Sequence, residues 1–167
     1  NLNAGVLGIW KTTDGGTSWT QTGHNSSFPG GAGGQMWYDA GITVSPSDPD
    51  ILFASCIDLF RSNNGGSSFI NLTGAYSGGP VHPDNHARAF VGGDANKILN
   101  GNDGGIYYID NALTATNYNN ANWIALNDTL PTIEPYFGDI TANFATSSSA
   151  GATAGFQDMG IASVLFN

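Results

Sequence analysis

The chain has 167 residues, 40% of them hydrophobic and 24 of them glycine, with 4 Lys and Arg against 13 Asp and Glu for a net charge of −9. That length and apolar content suit one domain with a core of ordinary size, and 11% aromatics with 10% charged residues is not the composition of a disordered chain. Four scattered cations cannot neutralise a phosphate backbone, which argues against nucleic acid as a partner. No apolar run reaches the ~18–20 residues of a membrane-spanning helix.

Strand-sized segments separated by Gly, Pro, Asn and Asp clusters run through the whole sequence, and no Gly-free window keeps a helical apolar period. The first are residues 6–12 and 17–22. Between them lies the octet Thr12-Thr13-Asp14-Gly15-Gly16-Thr17-Ser18-Trp19. The Gly-rich loop Pro29–Gly34 leads into Trp37, Tyr38 and Asp39. Strands are then predicted near 40–45, 51–56, 58–62 and 68–73, and the octet returns as Ser62-Asn63-Asn64-Gly65-Gly66-Ser67-Ser68-Phe69. The single cysteine, Cys56, sits in an apolar run and reads as a buried small hydrophobe. A second set of strands is predicted near 86–91, 97–101, 106–110 and 122–127, with Asn102-Asp103-Gly104-Gly105 as a worn relative of the octet. A further half set follows at 136–144, 152–156 and 163–166.

Taking Asp39, His86 and Tyr136 as equivalent gives a repeat of 40–50 residues holding four antiparallel strands, the arithmetic of a β-propeller blade. The expected fold is all-β, with about three blade equivalents: a half blade at 1–23, full blades at 39–73 and 86–127, and a half blade at 136–167. Too few blades to close a ring predicts further blades in the same or another chain as partners.

In the octet the Asp accepts backbone N–H bonds, the Gly takes positive φ, and the aromatic tucks the turn against its sheet. Thr12, Asp14, Gly16 and Trp19, and in the second copy Ser62, Asn64, Gly66 and Phe69, carry this structural role. Asn64 stands where the first copy has Asp, which predicts a weakened turn. The octet matches the Asp-box, and the chain resembles Asp-box (BNR, sortilin-like) β-propeller repeat proteins. The resemblance extends over about residues 5–160, through the Tyr-Asp strand start at Tyr38-Asp39, the His-x-Asp-x-His segment His82–His86, the Asn-Asp-Gly-Gly turn and the Gln157-Asp158-x-Gly turn. Xyloglucanase-type glycoside hydrolases and secreted bacterial cell-surface propellers share this repeat grammar.

By analogy of fold, the turns between second and third strands and the connections between blades gather on one face. Tyr38, Asp39, His82, Asp84, His86, Asp58, Asn102, Asp103, the loop at Glu134, Gln157 and Asp158 fall there. Trp37 and Tyr38 offer rings on which sugars stack, with His82, His86, Asn102, Asp103, Gln157 and Asp158 as further ligand-binding candidates. Alternatively, Trp37 is a plug under its loop. Asp39 and Asp84 are the catalytic candidates for a glycosidase, which needs paired carboxyls. His82, Asp84 and His86 alternate along an extended segment and are candidate ligands for a divalent metal ion, the alternative being a loop ordered by imidazole hydrogen bonds. Arg61 and Arg88 are too few for the arginine cluster of a sialidase. An acidic, lysine-poor surface rich in Ser, Thr, Asn and Gly fits an extracellular or cell-surface location, and sequons stand at Asn25, Asn71 and Asn127. Three functions are therefore expected: a glycan- or protein-binding surface scaffold, a xyloglucanase-like hydrolase, or a structural subunit of a surface filament or layer.

Overall fold

A computed structural model describes residues 8–22, 35–128, 135–142, 145–148, 150–156 and 160–165. The chain divides into two compact units, Asn1–Leu130 and Pro131–Asn167. It is mainly β, and every sheet is an antiparallel meander in chain order.

The first sheet is the hairpin β1 (Trp10–Lys11) and β2 (Thr20–Gln21). A helical turn, α1 (Met36–Asp39), leads into the second sheet of β3 (Gly41–Val44), β4 (Leu52–Ser55), β5 (Leu59–Ser62) and β6 (Ile70–Asn71). The third sheet has β7 (Asn85–Phe90), β8 (Ile98–Asn102), β9 (Gly105–Ile109) and β10 (Trp123–Ala125). The second unit holds β11 (Pro135–Ile140), β12 (Gly151–Phe156) and β13 (Gly160–Leu165). The two four-stranded sets lie where the alternation of apolar and turn residues predicts them, although β6 and β10 are shorter than expected.

The repeat is legible in the strand register. Trp10 pairs with Gln21 and Lys11 with Thr20; fifty positions on, Phe60 pairs with Asn71 and Arg61 with Ile70. The bond from the Thr22 N–H to the Ile9 carbonyl, 2.8 Å, returns as Leu72 to Leu59 at 2.8 Å. Likewise Val44–Leu52 and Ile42–Ala54 return, forty-six positions on, as Phe90–Ile98 and Arg88–Asn100. The first hairpin is therefore the counterpart of β5–β6, and β3–β4 that of β7–β8.

The two octet turns share one hydrogen-bond network. Gly16 N–H donates to Thr12 Oγ1 (2.9 Å) and Ser18 N–H to Asp14 Oδ1 (2.9 Å); Gly66 N–H donates to Ser62 Oγ (2.9 Å) and Ser68 N–H to Asn64 Oδ1 (2.9 Å). The second glycine of each pair has φ of 92° and 84°, a region that excludes side chains at little cost only for Gly. The expected weakening at Asn64 is absent from the geometry. Asp14 Oδ2 accepts from Ser18 Oγ (2.6 Å), whereas the Asn64 amide donates to Ser68 Oγ (2.9 Å), so the hydroxyl reverses its role and the turn is kept. The aromatic positions differ: Phe69 packs beside Ala54, Cys56 and Phe60, but Trp19 is exposed, its indole N–H closing onto the Gly16 carbonyl (3.1 Å). The Asn102–Gly105 turn is not a third copy. It joins second and third strands of its sheet, and the octet's place is taken by the loop 110–122.

The main core lies between the second and third sheets, where Phe53, Leu59 and Leu72 meet Ile98, Ile109, Ala112 and Ala115, each nearly or fully buried. Burying each larger side chain contributes about 1.5–3 kcal/mol. The opposite face of the second sheet, through Ala54, Cys56 and Phe60, receives Ile9 of the first. Cys56 is fully buried, as its apolar run predicts, and burial pushes its thiol up to about 11.

Polar groups join the second and third sheets. Backbone N–H groups of Asp84 and Asn85 donate to the carbonyls of Ile57 and Cys56, both at 3.0 Å. The fully buried Asn85 amide donates again to Ile57 O (2.6 Å) and accepts from Asn100 Nδ2 (2.6 Å). Arg61, buried with no carboxylate beside it among the described residues, donates to the carbonyls of Ala112 and Ala115, which Asn96 holds in place by binding Leu113 N–H and Asp110 O. The sequon amides Asn71 and Asn127 are likewise engaged, with Asp58 and with Gly104 and Ile106. The third sequon, at Asn25, lies outside the described residues.

Asn85→Ala leaves the Asn100 amide buried without its acceptor and takes one of two donors from the Ile57 carbonyl, so urea denaturation will show a loss of about 1–3 kcal/mol. The octets differ in acid response. Bonds from the Ser18 hydroxyl and N–H, then from Thr12, lower the Asp14 carboxyl from 3.8 to about 2. A depressed carboxylate stabilises above its open-chain value and loses that contribution as pH falls through the folded one. In an NMR titration the Ser18 amide signal will move with a midpoint near pH 2, while Ser68, facing Asn64, will show no such inflection.

Candidate functional site

The residues expected on one face converge at the junction of α1, the 82–86 segment and the β8–β9 turn. α1 presents Trp37, Tyr38 and Asp39, and Ser55 Oγ donates to the Asp39 carbonyl (3.2 Å), fixing the turn to the second sheet. Asp84 takes φ of 63°, the only non-glycine among the described residues to do so, and this reversal sends successive side chains to different neighbours.

One half of the site is buried. Gln35 Nε2 lies 3.3 Å from Asp39 Oδ2 and 2.5 Å from Asp84 Oδ1, so one amide holds both carboxyls. Asp39 is 2% exposed and Asp84 6%. Asp39 Oδ1 faces no donor among the described residues, and burial, followed by the nearby Asp84 charge and a hydrogen bond with that carboxyl, raises Asp39 from 3.8 to about 6. Asp39 thus holds its proton up to about pH 6.

The other half reaches the surface. His86 Nε2 is 2.6 Å from Asp103 Oδ1, whose carboxyl is buried, and Tyr38 Oη donates to Asp103 Oδ2 at 3.4 Å. The Tyr38 and His86 rings meet edge to face at 4.8 Å. Next to them Trp37 is 78% exposed, its ring 5.7 Å from that of Tyr38. The Gly-rich loop Pro29–Gly34, under which the plug reading places Trp37, lies outside the described residues. The Asp103 bond places the imidazole proton on Nε2 and leaves Nδ1 as an acceptor in neutral His86.

Tyr38, Asp39, Asp84, His86 and Asp103 are therefore brought together. The metal-ligand grouping of His82, Asp84 and His86 is not. His82 Nδ1 turns to the Pro83 carbonyl (3.2 Å), Asp84 to Gln35, and His86 to Asp103. The described residues contain no group of three His, Cys, Asp or Glu side chains placed to hold a metal ion. Strand alternation would have aligned the three donors, and the positive φ at Asp84 breaks it. Asn102 orders its turn instead of facing outward, accepting from Gly104 N–H (3.0 Å) and donating to His82 O (2.8 Å), and a side chain at Gly104 would collide with His82. Asp58 is consumed by Thr73 Oγ1, Ala75 N–H and Asn71 Nδ2. Gln157, Asp158 and the Glu134 loop lie outside the described residues.

Two participants were not anticipated from sequence. Gln35 follows a glycine run and shows no pattern, and Asn85 stands between two more conspicuous residues. The spacing His82-x-Asp84-x-His86 drew attention past it. Comparison with protein-family models, curated proteins and solved structures finds no match to this chain.

The raised Asp39 makes a directional prediction. Between about pH 4 and 6 the folded state holds a proton the unfolded chain has released, so stability falls as pH rises through that window. Asp39→Asn will remove this slope and stabilise the protein at pH 7 by about 1–2 kcal/mol, measured by urea denaturation across pH 4–8.

Proposed function

We propose that this chain is a run of blades from an extracellular Asp-box β-propeller that binds glycans, with Trp37 and Tyr38 as the sugar platform. The propeller part rests on four-stranded meanders that recur with a constant register, and on two octet turns that share one network. The observation that carries the binding part is the exposed Trp37 ring beside the ordered Tyr38–His86–Asp103 cluster. An aromatic face covers the apolar side of a pyranose, and neighbouring oriented donors and acceptors select its hydroxyls.

Binding is favoured over hydrolysis by the state of the acidic pair. A glycosidase sets its carboxyls about 5 Å or more apart with a sugar between them. Asp39 and Asp84 instead share Gln35, and both are buried, which leaves no room for a ring between them. Their service is to brace α1 against the 82–86 segment and so to hold Trp37 and His86 in register.

The test is calorimetric titration with soluble plant and bacterial oligosaccharides, including xyloglucan fragments. Trp37→Ala will weaken binding at least about tenfold, and His86→Ala several-fold, with unchanged thermal stability for Trp37→Ala. Equal affinity of Trp37→Ala and the parent for every sugar bound removes the platform, and product release from any sugar replaces the binding reading with hydrolysis.

A further inference from the structure

The interface between the second and third sheets contains a polar pair that the repeat does not require. Arg88 of β7 stands directly opposite Asn100 of β8, so the two side chains leave the sheet on one face. That face is turned to the second sheet. Ile98, two residues before Asn100, belongs to the shared core, and Arg88 Nε donates to Thr43 Oγ1 of β3 (3.2 Å). One repeat earlier the same positions hold Ile42 and Ala54, paired in the same register. An apolar pair thus serves the strand pairing equally well, and the polar one needs a reason of its own.

Each of the two residues keeps one buried polar atom without a partner among the described residues. On Arg88 it is Nη1, a donor; on Asn100 it is Oδ1, an acceptor. Asn100 is fully buried, and its Nδ2 is committed to Asn85 Oδ1 (2.6 Å). Leaving such an atom dry costs about 1–3 kcal/mol, more when the group is charged. The Arg88 guanidinium makes no ion pair among the described residues. Ser55 Oγ adds a third group. It is fully buried and donates to the Asp39 carbonyl, which leaves its lone pairs to accept. Arg88 Nη2 and Ser55 Oγ converge on Gly41, where a Cβ would collide with both.

The chemistry of this set selects its ligand. An anion would face the oxygens of Asn100 and Ser55, and a cation would face the guanidinium. A molecule that both accepts and donates satisfies all three groups. We infer that Arg88, Asn100 and Ser55 form an internal hydration site for one water molecule, which accepts from Arg88 Nη1 and donates to Asn100 Oδ1 and Ser55 Oγ. Three bonds are the usual complement of a buried water. Through it the polar link between the sheets runs from the Ile57 carbonyl through Asn85 and Asn100 to Arg88 and Thr43. The same molecule solvates a cation that the fold has taken out of bulk water. The inference is independent of the sugar platform and of the number of blades.

A high-resolution crystal structure of the full chain will show one density peak within hydrogen-bond distance, about 2.7–3.2 Å, of both Arg88 Nη1 and Asn100 Oδ1. In solution, oxygen-17 relaxation dispersion of the solvent counts long-lived internal waters. Arg88→Met, whose side chain fills similar space and donates nothing, will hold one fewer than the parent. Gly41→Ala, whose methyl displaces the guanidinium, will lose the same water and serves where Arg88→Met does not fold. The proposal is overturned by a direct bond between Nη1 and Oδ1, by no peak at that position, or by an unchanged water count in a folded variant. An anomalous halide peak at Nη1 in crystals soaked in bromide overturns it too, since the site then takes an anion.

Discussion

The carboxamide of Asn85 holds the arrangement on which the rest depends. A buried amide must satisfy two donors and an acceptor without water, and the Ile57 carbonyl and Asn100 do so only when the second and third sheets stand at one separation and register. The flanking backbone bonds from Asp84 and Asn85 to Ile57 and Cys56 continue the second sheet's turn into the first strand of the third. Apolar contact between Phe53, Leu59, Ile98 and Ile109 supplies most of the energy there, yet it is non-directional. The amide selects among the packings that apolar contact alone would allow.

The candidate site inherits its geometry from that junction. Asp84 and His86 lie on either side of Asn85, so fixing one amide aims a carboxyl inward at Gln35 and an imidazole outward at Asp103. Asp39 completes the inward half and Tyr38 the outward half, both from one helical turn. A buried carboxyl pair and an exposed aromatic platform are therefore two faces of one brace. In our reading the former serves rigidity and the latter contact with glycans, as expected of a binding surface that has to be preorganised.

The repeat explains both what is closed and what is open. Where a four-stranded sheet meets a four-stranded sheet, Arg61 reaches across to the loop at 112–115 and the interface is sealed. Where the second sheet meets a two-stranded hairpin, branched aliphatic residues remain in solvent.

Much of the fold is legible in the sequence. Period-two alternation bounded by turn residues located the strands of both four-stranded sheets, because burial of one face and local turn chemistry are encoded by near neighbours. The octet was legible for the same reason, since every bond in it spans at most four residues. Tertiary structure decided what depends on residues far apart in the chain. Gln35 and Asp84 are 49 positions apart, and nothing local signals that one amide will bridge two carboxyls. The alternation that made His82, Asp84 and His86 look like one ligand set fails at a single positive φ, which is imposed by the union of residues 84–85 with 56–57. Local patterns determined which segments become strands and turns; contacts across sheets decided where each polar side chain points, because only there do burial and hydrogen-bond demand compete.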